Sequence, residues 1–287
     1  MNWDALLAIS QGLVYVATAT LIGGSFSHWL CLRVFPAASP QVNAWHRRMI
    51  TAGALLGLVF AVIGYLSFIA GINDSGWRGA FDFELMSFLI FDPPSLVVMA
   101  QILLFPVIAL VWRWSNKPVG QAILILSLVL IAWSFTLRGH LAQAPVSVQL
   151  LLTLHVIAMA LWGGALLPLW LAVQQPVSAA TTKLLESFGR IAQIFVAILL
   201  GSGLVMAFYL LQNLAEFWQS RYGLTLTAKL VVVSLLLLLA AINKFVLVPR
   251  LPTAHAQRWL TRTIYAEMLL VMVVFALTAV FTVVIGY

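Results

Sequence analysis

Polar residues interrupt this chain only at long intervals. Between them stand eight apolar runs, at about 5–32, 49–72, 94–114, 119–137, 147–173, 190–213, 225–248 and 262–285, each long enough as a helix to cross a hydrocarbon core of ~30 Å. The pattern predicts an all-α, polytopic membrane bundle of eight transmembrane helices. The fifth run differs from its neighbours. Its residues His155, Met159 and Trp162 fall at i, i+4 and i+7 and share one helix face. Gly163-Gly164 and Pro168 follow, where a neighbouring helix can approach closely or the backbone can bend. A histidine inside a membrane helix is costly to keep and points to function or to a specific partner.

Composition agrees with the pattern. The chain is 63% hydrophobic and 8% charged over 287 residues, with a mean hydropathy of +1.06, which excludes a water-soluble domain. The net charge of +7 does not mark a nucleic-acid surface, because the basic residues sit in short connections between apolar runs. Eleven of them fall after runs one, three, five and seven; the opposite side holds Arg78, Arg138, Arg221 and Lys229. The positive-inside rule makes the first side cytoplasmic and turns both termini outward. Ten of the eleven tryptophans lie in connections or near a membrane boundary, as an aromatic belt requires, and Trp162 is the exception. A single cysteine, Cys31, excludes an internal disulfide and a cysteine-cluster metal site. No cleavable leader is expected, since Asp4 stands where a basic segment belongs.

Run one places His28 and Cys31 toward the cytoplasmic side, while His46, beside Arg47-Arg48, reads as part of a solvated basic loop. Gly53, Gly57 and Gly64 form a small-residue stripe for helix packing. The outward connection from Asn73 to Ser95 carries Asp74, Asp82, Glu84 and Asp92, and its segment FDFELMSFLIF is too short to span. Met99 lies on the outer half of run three, where Pro106 predicts a kink. LIGGSF at 21–26 and LWGGAL at 161–166 suggest an internal duplication, a 4+4 parallel repeat dividing the chain into 1–138 and 139–287. Under that offset Tyr15 corresponds to His155.

The second half is richer in polar residues. Met206 and Tyr209 follow GSG at 201–203; Tyr222-Gly223 mark an outer turn, and Lys229 lies about one turn inside run seven, either snorkelling outward or charging an outer pocket. Asn243-Lys244 approach the cytoplasm. Glu267, inside run eight, must be paired, protonated or part of a proton path, with Asn243, Lys244 and Arg262 at matching depth.

These features, taken as a spaced series over 139–287, resemble the copper resistance protein D (CopD) family of bacterial inner-membrane proteins. The resemblance rests on Gly139-His140, on LHVIAMALWGGALLPL at 154–169 and on the segment from Ser187 to Arg190. It continues through Tyr222-Gly223 with Lys229, AAINKFVLVPRL at 240–251, and Arg262 with Glu267. Leu141 replaces the small residue usual after the Gly-His pair. The resemblance implies copper handling at the inner membrane, described for the family as uptake from the periplasm, beside a periplasmic carrier of the CopC type.

Ligand chemistry points the same way. Imidazole and thioether groups suit copper, whereas a hard cation would want carboxylates inside the membrane. The candidate metal ligands are His140, His155, Met159, Met99 and Met206, with Trp162, Lys229, Glu267, Lys244 and Arg262 as supporting polar groups. Methionine also commonly fills apolar interiors, so each thioether has a plain packing alternative. The other cofactor reading is haem b, with His155, His140 and His28 as candidate axial ligands. It requires histidines facing each other at one depth, which these spacings do not obviously supply. Transport of copper inward is therefore favoured over a membrane oxidoreductase that reduces copper or another acceptor at the periplasmic face. An assembly factor that delivers copper to a respiratory enzyme fits the same residues.

Overall fold

The computed structural model describes residues 2–36, 39–138, 142–210 and 221–285. Among these residues, eight helices are long and apolar enough to cross a membrane. The long helices are α1 (Trp3–Val34), α2 (Ser39–Asn73), α5 (Pro93–Val111), α6 (Pro118–Ser134), α7 (Val146–Gln174), α8 (Ala179–Leu210), α9 (Arg221–Ile242) and α10 (Ala254–Val280). Two short helices, α3 (Gly76–Gly79) and α4 (Phe83–Phe88), lie in the acidic connection. No strand occurs among the described residues. The chain is a polytopic helical bundle.

Several helices begin earlier than their apolar runs. α2 starts at Ser39-Pro40, α8 at Ala179 and α10 at Ala254. Local capping explains each start. Proline near a helix start is pre-set for helical φ. The Ser178 hydroxyl accepts the Thr181 N–H at 3.2 Å, and the Thr253 hydroxyl accepts the Ala256 N–H at 3.3 Å. The added turns are amphipathic, so hydropathy alone does not reveal them. A π-turn at Asn243–Leu247 interrupts the end of the seventh span, and a second runs from Phe281 to Ile285.

α1 stands at the centre, in contact with α2, α6, α7, α8 and α10. It belongs to two apolar cores. Leu21 packs with Ile50, Phe105, Ile108 and Ile131. Ile22 and Leu30, on another face of α1, join Trp162, Leu166, Leu184 and Leu260. Small residues make the crowding feasible. A Cβ on Gly23 would stand 2.5 Å from the Gly164 Cα, and one on Gly57 would stand 2.3 Å from the Phe105 ring. The packing role expected of Gly57 is thus visible. The two motifs whose likeness suggested a duplication also touch, through Gly23 and Gly164. Leu103, Leu126, Phe208 and Leu238 stand exposed on the outside, where lipid takes the place of a protein neighbour.

α2 ends in a turn with Asp74 and Gly76 at φ +48° and +63°, a region open to glycine and tolerated by aspartate. Asp82 then caps α4, accepting the Leu85 N–H at 2.9 Å and the Asn73 amide at 3.2 Å. The bond from Leu85 holds its carboxyl below the usual carboxylate range despite partial desolvation. α4 buries none of its residues; its Phe83 and Phe88, and Phe91 just after it, are exposed.

Candidate functional site

His155 lies nine residues into α7, about 13 Å along the helix by rise. Its ring turns toward α8, where Nδ1 lies 3.0 Å from the Ser202 hydroxyl. That hydroxyl donates its one hydrogen to the Ile198 carbonyl, so it accepts from the Nδ1–H of His155. The tautomer follows: Nε2 keeps its lone pair, the state in which imidazole binds a metal. Gly203 leaves room for the ring, since a Cβ there would lie 3.5 Å from the His155 Cε1.

Met206 follows Ser202 by one helical turn and is buried against Ala144 and Val148. Met159 lies one turn deeper than His155 on α7, half-buried against the core that contains Trp162. Lys229 is half-buried near the start of α9. The seam between α7 and α8 therefore holds His155 against Ser202, with Met206 one turn further along α8 and Met159 one turn deeper on α7. Other candidates lie apart. Met99 is 50% exposed on α5, on the lipid-facing surface. His140 falls outside the described residues. Among the described residues, no three His, Cys, Asp or Glu side chains converge as a metal cage, so a metal at His155 would depend on thioether or backbone donors.

A second polar group lies nearer the basic end of the bundle. Glu267 is 3% exposed and accepts a hydrogen bond from the Asn243 amide at 3.0 Å. Thr263 in turn donates to the Asn243 side-chain oxygen. Asn243 opens the π-turn, and that widened turn brings its side chain onto α10. Lys244 and Arg262, the other partners expected for Glu267, go elsewhere. Lys244 donates to the Gly189 carbonyl at 2.8 Å, and Arg262 lies exposed, 5.7 Å from the Trp259 ring centre. Lys244 also lines a 270 Å³ cleft with Glu186, Gly189, Arg190 and Gln193. Replacing Asn243 by leucine strands the buried Glu267 carboxyl. A loss of about 1–3 kcal/mol is expected, read as earlier thermal unfolding in detergent, while Thr263→Val costs less because the Asn243–Glu267 bond survives it.

The solvated-loop expectation for His46 is corrected by the structure. α2 starts early enough to carry His46 inside the bundle, where it is 3% exposed. Its Nδ1–H donates to the Val42 carbonyl at 2.8 Å, and Nε2 lies 3.1 Å from the Ser27 hydroxyl. Arg47 and Arg48 follow it around the helix and point outward. The Ser39-Pro40 start was the available signal. Hydropathy also gave no sign of the seam between the N-terminal helices and the outer end. There Arg138 donates to the Gln11 side chain at 2.8 Å and to the Pro94 carbonyl at 3.2 Å, while the Tyr15 and Thr282 hydroxyls lie 3.3 Å apart.

Eight apolar spans around buried polar side chains define a multi-pass membrane protein. The family model described as "Copper resistance protein D" (CopD) matches residues 182–281. The chain is 25% identical to the copper transport protein CutJ of Bacillus subtilis (strain 168) over 289 residues, covering 96% of this chain and 52% of that one. It thus spans about half the length of this curated relative. No solved structure matches the chain. Both similarities are thus to proteins named for copper, one along residues 182–281 and the other along most of this chain.

Proposed function

We propose that this protein moves copper from the periplasm toward the cytoplasm, with His155 at the centre of an intramembrane site. The observation that carries the reading is the 3.0 Å contact of His155 Nδ1 with the Ser202 hydroxyl, itself a donor to Ile198, which leaves Nε2 as a ligand, with Met159 and Met206 one helical turn away on either side. The acidic outer connection, with Asp82 kept ionised, and His140 are the capture elements; Met99, half-exposed on the outside of α5, stands apart from them. Lys229 opposes a cation at His155, which favours passage over tight storage. Trp162 anchors the helix that carries the site, and Glu267, Lys244 and Arg262 supply the polar groups toward the basic end. The partners are copper and a carrier of the CopC type. The name of the CutJ relative, a copper transport protein, supports this assignment. The 4+4 organisation, with halves 1–138 and 139–287, belongs to the same proposal and draws support from the matching places of the LIGGSF and LWGGAL motifs in their helices.

The haem b reading is weaker. His28 packs against His46 and Trp112, with ring centres 5.2 and 4.8 Å away, which leaves no room for a macrocycle between the rings. His155 instead turns to Ser202. A visible spectrum of the purified protein separates the readings: a colourless protein that binds copper supports transport, and a Soret band overturns it in favour of a cytochrome.

Orientation is part of the proposal, and the eleven basic residues on one side support it. Both termini are periplasmic in the bacterial inner membrane. Alkaline phosphatase fused after Tyr287 should be active and a fluorescent protein fused there dark. The reverse pattern inverts the direction assigned to every group above.

A further inference from the structure

Two imidazoles from different helices meet at the basic end of the bundle, far from the His155 seam. His28 comes from the last turns of α1 and His46 from the first turns of α2, with ring centres 5.2 Å apart. Their hydrogen bonds fix both tautomers. A carbonyl oxygen can only accept, so the 2.8 Å contact with Val42 makes His46 an Nδ1–H donor and leaves Nε2 with a lone pair. The 2.6 Å contact with the Asn43 side-chain oxygen likewise makes His28 an Nε2–H donor, leaving the lone pair on Nδ1. Among the described residues the hydrogen-bond partner of His46 Nε2 is the Ser27 hydroxyl, which also reaches the Gly24 carbonyl at 3.0 Å. Turning that hydroxyl onto Gly24 releases the nitrogen without breaking the helix.

A soft donor lies beside the pair. Met49 follows His46 by three residues, one helical turn. A Cβ on Gly24, one turn from His28, would stand 2.3 Å from the Met49 Cε, so the thioether chain rests on α1 one turn from the histidines. Cys31, one turn beyond His28, is half-buried against the apolar core that contains Leu30 and Leu184. Arg47 and Arg48 point outward. Trp112 covers the His28 ring and shields the cluster. A separation of 5.2 Å between ring centres is within the span of two imidazoles bound to one ion through metal–nitrogen bonds of ~2.0 Å.

We infer that His28, His46 and Met49 form a second site for a soft, low-valent cation at the basic end, where an ion that has passed His155 is held before release. Two neutral imidazoles and a thioether match copper(I) and exclude calcium or magnesium. The choice of copper rests on the function proposed above; the site itself rests on the geometry of the two rings.

The test is copper(I) stoichiometry on the full-length protein in detergent, measured against a chromogenic copper(I) chelator. His28→Gln with His46→Asn keeps the donors to Asn43 and Val42 while deleting both lone pairs, so folding is preserved; thermal unfolding verifies this. We expect two ions on the unaltered protein, one on the double variant, one on His155→Ala and none on the combination. On the His155→Ala background, X-ray absorption of bound copper should show imidazole with sulfur, and Met49→Leu should remove the sulfur. A folded double variant that keeps the full stoichiometry overturns the second site and leaves the function reading intact. Loss of one ion from the double variant with none lost from His155→Ala upholds the second site and overturns the role of His155. A folded, unaltered protein that binds no copper overturns both.

Discussion

Alanine at position 155 should abolish copper accumulation by cells that depend on this protein, while the protein still reaches the membrane and folds. Alanine is a good helix former, and the ring lies against Gly203 and Ser202, so its loss leaves a small gap in a seam between two helices. Metal affinity at this site should fall by at least ~100-fold, since changes one shell further out already cost 10–100-fold. Ser202→Ala provides the graded control. It removes the acceptor for the His155 Nδ1–H, frees the tautomer and should weaken binding without abolishing it. If His155 only packs, both variants lose about 1–3 kcal/mol of stability and bind copper normally. Normal binding by a folded His155→Ala protein would remove the central site from the mechanism.

The architecture was legible because a bilayer imposes one rule on every span: continuous apolar helix of sufficient length. Eight runs therefore gave eight helices. Their ends were less legible, because the turns beyond the hydrocarbon core mix polar and apolar residues; His46 moved from a solvated loop to a buried position for that reason alone. Glu267 was placed with a polar partner by the cost of burying an isolated charge, and Asn243 is that partner. Which of three partners it would take depended on the π-turn, a local widening with no sequence signature beyond Asn243 itself. The His155 face could be read from helical spacing, but not its partner on α8, because contact between helices far apart in sequence leaves no periodic mark. Ser202 lay in a glycine-flanked motif that equally suited plain packing. The pairing of His28 with His46 was hidden in the same way, by a helix start read ten residues late.

The crossing of α1 and α7 is the most sensitive point in the fold. Gly164→Ala should destabilise the protein by about 3 kcal/mol or more, at the upper end of overpacking costs. The reason is what the new methyl meets: a Cβ at Gly164 would stand 1.8 Å from the Ala19 carbonyl oxygen and 3.0 Å from the Gly23 Cα. Backbone cannot rotate aside, so the helices must separate, and separation opens the core shared by Ile22, Trp162 and Leu166. Gly163→Ala is the matched control, one residue away in the same helix. Its methyl would meet the tip of Val271 at 3.1 Å, a side chain that can shift, and the cost should stay within ~1 kcal/mol. Gly23→Ala should resemble Gly164→Ala, because its Cβ would lie 2.5 Å from the Ala160 carbonyl oxygen. Combining Gly23→Ala with Gly164→Ala should cost clearly less than the sum, since helices already pushed apart by one methyl have room for the other. Thermal unfolding in detergent and the yield of monodisperse protein provide the readout. Equal stability of Gly163→Ala and Gly164→Ala would mean that α1 and α7 do not cross at these glycines, and the central position of α1 would go with it.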